Sequence, residues 1–202
     1  MSSSVRHWSL ATSALVGSLL AGGLAAQAKH EEPALSPELA AAKAALNKYQ
    51  DPILAVHDGY LSTLACIDYS QPGGNGEMTY QKGGMGIHFL NPRNIGPKLD
   101  PQKPQVLIYE PVGGKLTLAA AEWFVPTDVS KEPLTIFGKK LEGPMEGHEP
   151  VLPARLHHWD LHVWLWKANP SGLFSPTNPN LKCIKRDYSY SLTLDPPNMV
   201  AP

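Results

Sequence analysis

Three residues with metal-ligating or acid–base side chains, His88, Glu122 and His162, lie inside otherwise apolar segments that predict β-strands. Alternate residues of a strand point to opposite faces, which places each histidine on the less aliphatic face of its strand. The same alternation groups Glu122 with Leu118 and Phe124, and a carboxylate among such neighbours needs a partner. Imidazole and carboxylate groups can ligate a divalent transition metal such as Zn or Cu, or can act as an acid–base pair. The three residues therefore predict a polar pocket on one face of a sheet, although no recognised local spacing specifies its role.

Three further histidines lie near this predicted pocket in the sequence. His158 is an alternative to Glu122 as the third ligand, but in a straight strand it would stand ~13 Å from His162, too far to share one ion. A bend near Asp160 would bring the two rings together. His148 and His157 enlarge the set of candidates, and the sequence does not assign a role to either.

The alternation that places His162 also predicts Trp164 and Trp166 on the same face, where they would line a pocket for a small apolar or aromatic ligand. Three hypotheses follow. The first is a metal site or a metal-assisted enzyme, the second is a metal-free small-ligand-binding protein, and the third is a non-catalytic envelope protein with structural histidines. The sequence names neither a substrate nor a reaction.

The elements that must position these residues follow from periodicity and turn signals. Apolar residues at helical spacing, with Pro52 as a break, predict two N-terminal helices at 37–50 and 52–63 that share one apolar face. Four predicted strands follow at 85–90, 105–110, 116–125 and 161–166, with a short strand near 134–137 and an edge strand in the tail. Helices followed by hairpin-connected strands are typical of an α+β fold. The predicted architecture is a helix pair packed on a curved antiparallel sheet or a partly open barrel, joined by loops rich in the chain's 20 prolines.

The only cysteines are Cys66 and Cys183. A lone pair in an exported protein favours a disulfide, because oxidising compartments preserve such bonds.

The first 28 residues predict an export signal. Arg6 precedes an uncharged run from Leu10 to Ala26, and the segment 26–28 (Ala-Gln-Ala) has the small-x-small pattern that signal peptidase cleaves. Cleavage after Ala28 would leave a single domain, 29–202, with its core at about 36–184 and a tail at 185–202. After cleavage no apolar run is long enough to span a bilayer, so we expect a periplasmic or extracellular protein.

The charge balance argues against one class of partner. There are 17 Lys and Arg residues against 18 Asp and Glu residues, a formal net charge of −1. A surface that follows nucleic-acid phosphates needs a basic surplus, so we expect no nucleic-acid partner and a small molecule as the candidate ligand. The oligomeric state is left open.

Four segments taken together resemble a family of exported bacterial proteins for which no activity is established. They are residues 84–92 (GMGIHFLNP), 109–111 (YEP), 161–172 (LHVWLWKANPSG) and 178–180 (NPN). The resemblance covers about residues 40–183 and includes both cysteines. It implies an exported single-domain protein and brings no catalytic residues with it.

Overall fold

The computed structural model describes residues 34–149 and 152–183 with their side chains, and the backbone of a strand at 189–192. The predicted signal peptide, residues 1–28, lies outside the described residues, as does most of the predicted tail at 185–202. The described residues from Leu35 onward belong to one compact unit. The domain boundary at residue 29 stays a prediction.

The N-terminal segment forms one helix of ten residues, α1 (Pro37–Leu46). The Ser36 hydroxyl accepts a hydrogen bond from the Leu39 amide, and Pro37 occupies the first turn, as expected for a helix start. A 3₁₀ turn (Asn47–Gln50) and a six-residue helix, α2 (Pro52–His57), follow.

The predicted second helix at 52–63 is wrong beyond His57. Gly59 adopts a φ of +97°, which ends the helix, and Leu61 already begins a strand. The predicted shared apolar face is also wrong, because Ile53 and Val56 are 71% and 51% exposed. The break at Pro52 changes the chain direction, so the apolar spacing does not continue across it.

Eleven strands follow the helices within the described part of the chain. They are β1 (Leu61–Tyr69), β2 (Gly73–Asn75), β3 (Met78–Tyr80), β4 (Gly83–Leu90), β5 (Val106–Val112), β6 (Lys115–Pro126), β7 (Thr135–Ile136), β8 (Lys139–Lys140), β9 (Glu142–Met145), β10 (His158–Val163) and β11 (Ser189–Leu192). A second 3₁₀ turn (Pro92–Asn94) precedes β5.

Six of these strands form a curled antiparallel half-barrel in the order β1-β4-β5-β6-β10-β9. Strand β11 adds to the β1 edge in parallel, which confirms the predicted edge strand in the tail. The pairs β2–β3 and β7–β8 form separate two-stranded ribbons. The predicted α+β class with a curved antiparallel sheet is therefore confirmed. Between β5 and β6, Gly113 and Gly114 make the predicted two-residue hairpin with φ of +58° and +77°.

One face of the sheet packs against α1 and is called the helix face. Leu39, Leu46 and Tyr49 join its core cluster, and the Tyr109 hydroxyl donates a 2.7 Å hydrogen bond to the Tyr49 carbonyl. Leu118 lies opposite Tyr109 because a bulge shifts the β5–β6 register after Ile108. The predicted grouping of Leu118 with Glu122 is therefore wrong, since the bulge inverts the alternation at that point.

The opposite face carries His88, Glu122 and His162 and is called the histidine face. Beside it lies a smaller cluster of buried residues, namely Ile67, Tyr69, Tyr80, Met85 and Met145.

The predicted disulfide between Cys66 and Cys183 is confirmed, with a sequence separation of 117 residues. It ties β1 to the segment that follows β10. Among the described residues, the helices are too short or too polar to cross a membrane.

Candidate metal centre

Strand register brings the three predicted residues together. His162 lies directly opposite Glu122 in the β10–β6 pair, and Glu122 lies opposite Val106 in the β6–β5 pair. His88 is on β4, where it lies opposite Ile108 of β5. Glu122 lies opposite Val106 of the same strand, so His88 is displaced from Glu122 by two residues along the strand direction. Its ring reaches across β5 toward the carboxylate. The side chains meet because all three positions have the parity of the histidine face.

The three side chains are almost completely buried, with 6%, 4% and 1% exposure for His88, Glu122 and His162. Each offers a ligand atom within 4.8 Å of the other two. Within residues 34–149 and 152–183, no other three His, Cys, Asp or Glu side chains approach one another this closely.

The interatomic distances match a metal coordination shell better than a hydrogen-bonded network. Glu122 Oε2 lies 3.3 Å from His88 Nε2 and 3.6 Å from His162 Nε2. Ligand atoms that surround one Zn²⁺ tetrahedrally at about 2.05 Å are separated by about 3.3 Å. Hydrogen bonds of this type would be about 2.7–2.9 Å long.

Several polar atoms in this cluster have no hydrogen-bond partner, although they are fully buried. They are His88 Nδ1, Glu122 Oε2 and both ring nitrogens of His162. Buried polar atoms are paired in the great majority of native structures, so each of these needs an explanation. A bound ion would account directly for Glu122 Oε2 and for one nitrogen of His162.

A second carboxylate supports His162 from the other side. Asp160 Oδ1 lies 3.6 Å from His162 Nδ1. Burial lowers the pKa of His162, but the charges of Asp160 and Glu122 outweigh burial and raise it to about 9. Burial raises the pKa of Asp160, and the charge of His162 reverses that effect and lowers it. Without a metal the cluster therefore holds an imidazolium ion at neutral pH.

The alternative third ligand, His158, is not part of this group. It lies on the same face of β10, but the strand stays extended at Asp160, so the bend that joint ligation requires is absent from this segment. Its Nδ1 donates a 2.9 Å hydrogen bond to the Leu156 carbonyl, and its Nε2 lies 3.9 Å from Asp160 Oδ2.

His148 approaches the same region from the loop after β9. Its ring lies 6.4 Å from the His158 ring, and its Nδ1 is 3.1 Å from Asn75 Nδ2. Burial, followed by repulsion from His88 and His158, lowers the pKa of His148 to about 3. Its Nε2 is buried and has no partner.

A cavity of about 20 Å³ lies between these groups. Five polar residues contribute to its wall, namely Thr63, His88, Glu122, His148 and His158. The rest of the wall is apolar and consists of Ile67, Leu90, Val106, Phe124 and Leu152.

The two predicted pocket tryptophans are placed elsewhere. Strand β10 ends at Val163, three residues earlier than predicted, so the alternation that put Trp164 and Trp166 beside His162 does not extend to them. Trp164 donates to the Ser175 carbonyl, and Trp166 donates to Asn47 Oδ1 beside α1. Neither lines the cavity. His157 is exposed.

Asp160 and His148 are the site residues that sequence reasoning missed. Asp160 shares the parity of His162, and starting the strand at His158 instead of Leu161 would have found it. The position of His148 depends on Asn75, 73 residues away, and local sequence carries no signal for that contact.

No family model, curated protein or solved structure matches the chain.

Proposed function

We propose that the protein binds one divalent transition-metal ion, Zn²⁺ or Cu²⁺, through His88, Glu122 and His162. The observation that carries the proposal is the shared position of Glu122 Oε2, 3.3 Å from one imidazole nitrogen and 3.6 Å from the other, with all three side chains buried. Two imidazoles and a carboxylate suit Zn or Cu, whereas Ca²⁺ and Mg²⁺ prefer oxygen ligands.

Charge balance supports a divalent ion. Counted as carboxylates, Glu122 and Asp160 carry two negative charges, and among the described residues only histidines form ion pairs with them. A protonated His162 leaves one negative charge uncompensated in a buried site, which is costly. A divalent ion with a neutral His162 balances both carboxylates.

Asp160 would then take the usual role of a carboxylate behind a ligating histidine. A hydrogen bond accepted from His162 Nδ1–H would hold the proton on Nδ1 and keep the lone pair on Nε2, the atom that faces Glu122.

The two alternative hypotheses have less support. The cavity of about 20 Å³ is far smaller than the ~300–1,000 Å³ pockets that hold drug-sized ligands. Purely structural histidines would be expected to form hydrogen bonds, and neither nitrogen of His162 has one, since the nearest carboxylate oxygens are 3.6 Å away.

Equilibrium titration of the metal-free, untagged protein with Zn²⁺ and Cu²⁺ tests the proposal. We expect one tight site in the wild type and its loss in His88→Ala and His162→Ala, with circular dichroism reporting that each variant is folded. The matched controls are His57→Ala and His157→Ala, which remove exposed histidines outside the cluster and should leave the tight site unchanged. Tight binding that survives both cluster variants would refute the assignment.

We also propose that the protein is exported to the periplasm or the medium and belongs to the family that it resembles. The Cys66–Cys183 disulfide supports export, since such bonds persist in oxidising compartments. N-terminal sequencing of the product should find Lys29 first, and a product that still begins at Met1 would contradict this part of the proposal.

A further inference from the structure

The cavity beside the metal centre contains a hydrogen-bond donor whose direction can be deduced. Two hydrogen bonds determine the orientation of the Asn75 side-chain amide. Its Nδ2 donates to the Glu146 carbonyl at 3.0 Å, and its Oδ1 accepts from the Glu146 amide at 2.9 Å. The same Nδ2 stands 3.1 Å from His148 Nδ1, so that ring nitrogen must accept. The neutral His148 ring therefore carries its proton on Nε2.

This tautomer excludes His148 as a metal ligand through Nε2. A ligating Nε2 would move the proton to Nδ1, where it would point at the Asn75 donor. His148 Nε2–H remains as a buried donor, in a side chain that is 5% exposed, and it has no partner.

His158 lies on the same cavity wall. Its Nδ1 donates to the Leu156 carbonyl, and its Nε2 lies 3.9 Å from Asp160 Oδ2. The cavity thus offers one unpartnered imidazole donor, together with Glu122 Oε2 of the metal centre and the unpartnered hydroxyl of Thr63.

The metal centre itself leaves a position open. His88, Glu122 and His162 supply three ligands, and a tetrahedral ion takes four. Because His88 and Glu122 also line the cavity, the fourth position has an enclosed space beside it. Its volume of about 20 Å³ exceeds the ~10–15 Å³ that one water needs and leaves no room for a larger organic group.

We propose that this cavity is the site of one small exogenous ligand, which binds the fourth coordination position of the metal and accepts a hydrogen bond from His148 Nε2–H. The inference rests on the proposed metal site. The ligand class is water or hydroxide, exchangeable for a small monodentate anion of two or three atoms. The apolar part of the wall and the enclosed volume exclude carboxylic acids of aromatic size.

Visible spectroscopy of the Co²⁺-loaded protein tests this inference, because the Co²⁺ bands report coordination. Azide should change the spectrum of the wild type in a saturable titration, and benzoate, which the cavity cannot admit, should not. His148→Phe should weaken azide binding about ten- to a hundredfold, the usual loss for one hydrogen bond to a charged group. In that variant the Asn75 amide keeps its hydrogen bond to the Glu146 carbonyl and loses the one to His148, and Asn75 is only half-buried. His148→Gln, which retains an amide donor, should bind azide within a few-fold of the wild type. The azide and benzoate titrations of the wild type still test the site if His148→Phe does not fold.

The outcomes separate the two proposals. If the protein binds none of Co²⁺, Zn²⁺ and Cu²⁺, the metal centre itself fails. If Co²⁺ binds one to one and azide leaves the wild-type spectrum unchanged, the metal centre stands and the exogenous-ligand site is overturned. A benzoate response, or equal azide affinity in wild type and both His148 variants, also overturns it.

Discussion

Replacing Glu122 by Gln tests the metal centre at the atom that its two imidazoles share. The substitution keeps the size and shape of the side chain and removes the charge and the carboxylate ligand. Glu122 Oε2 lies 3.3 Å from His88 Nε2 and 3.6 Å from His162 Nε2, so this one atom approaches both imidazoles. Mutating a residue that only hydrogen-bonds to a metal ligand weakens metal affinity by up to about 100-fold. Losing the carboxylate ligand itself should therefore weaken metal binding by at least that factor.

The loss of metal affinity can be measured as a smaller metal-induced rise in Tm. A ligand at 100 times its dissociation constant stabilises the folded state by about 2.7 kcal/mol. For a domain of this size, 1 kcal/mol shifts the Tm by about 2–4 °C, so the wild type should gain about 5–11 °C. At the same metal concentration a 100-fold weaker site stabilises by only about 0.4 kcal/mol, or about 1–2 °C.

The assay is differential scanning fluorimetry of metal-free protein with and without Zn²⁺, at a concentration set from the measured wild-type affinity. The matched control is Glu110→Gln, another buried carboxylate, which pairs with Lys167 Nζ at 2.8 Å and accepts from the Lys182 amide outside the cluster. This variant should start from a lower Tm and keep the full metal-induced gain. An equal Zn²⁺ gain in Glu122→Gln and the wild type would show that the carboxylate is not a ligand.

Three further predictions follow from the same geometry. His162 has a pKa of about 9, so its proton competes with the metal below that pH. The apparent metal affinity should therefore fall about tenfold for each pH unit below 9. Calorimetric titrations at pH 6, 7 and 8 check this, and an affinity that does not change with pH would contradict it. His148 stays neutral in the folded protein down to a pKa of about 3, whereas an unfolded histidine takes up a proton below about pH 6.5. Its contribution to stability is therefore complete above pH 6.5 and is lost at about 1.4 kcal/mol per pH unit toward pH 3. Urea unfolding at pH 7 and pH 4 should show a smaller pH difference in His148→Gln than in the wild type. Reducing the Cys66–Cys183 bond, which closes a loop of 117 residues, should lower the free energy of unfolding by about 2–4 kcal/mol, and the double Ala variant should match the reduced protein.

Strand alternation explains why the ligand residues could be predicted from the sequence. The two-residue period determines which face a side chain occupies, and the strands that carry His88, Glu122 and His162 were all predicted within a few residues of their bounds. The prediction needed only that these strands belong to one sheet, as helices followed by a run of strands in an α+β fold lead one to expect.

The errors come from boundaries and bulges, which local sequence specifies weakly. Strand β10 begins at His158 and ends at Val163, and this shift alone removes Trp164 and Trp166 from the face of His162. The bulge after Ile108 inverts the parity of Leu118. Strand β1 was missed because apolar residues at helical spacing ran into it, and its pairing with β4 is a tertiary contact.

The cavity could not be predicted at all. Its donor depends on the amide of Asn75, which contacts His148 Nδ1 from 73 residues away. That contact determines the tautomer of His148, and a tautomer depends on three-dimensional surroundings that no sequence period encodes.

The metal content of the native protein tests the central claim most directly. The untagged protein should be purified from its exported fraction without chelators and analysed by inductively coupled plasma mass spectrometry, beside Glu122→Gln prepared in the same way. We predict about one Zn or Cu ion per wild-type chain and little in the variant. Folded wild-type protein that contains no transition metal and takes up none on dialysis against Zn²⁺ or Cu²⁺ would contradict the account.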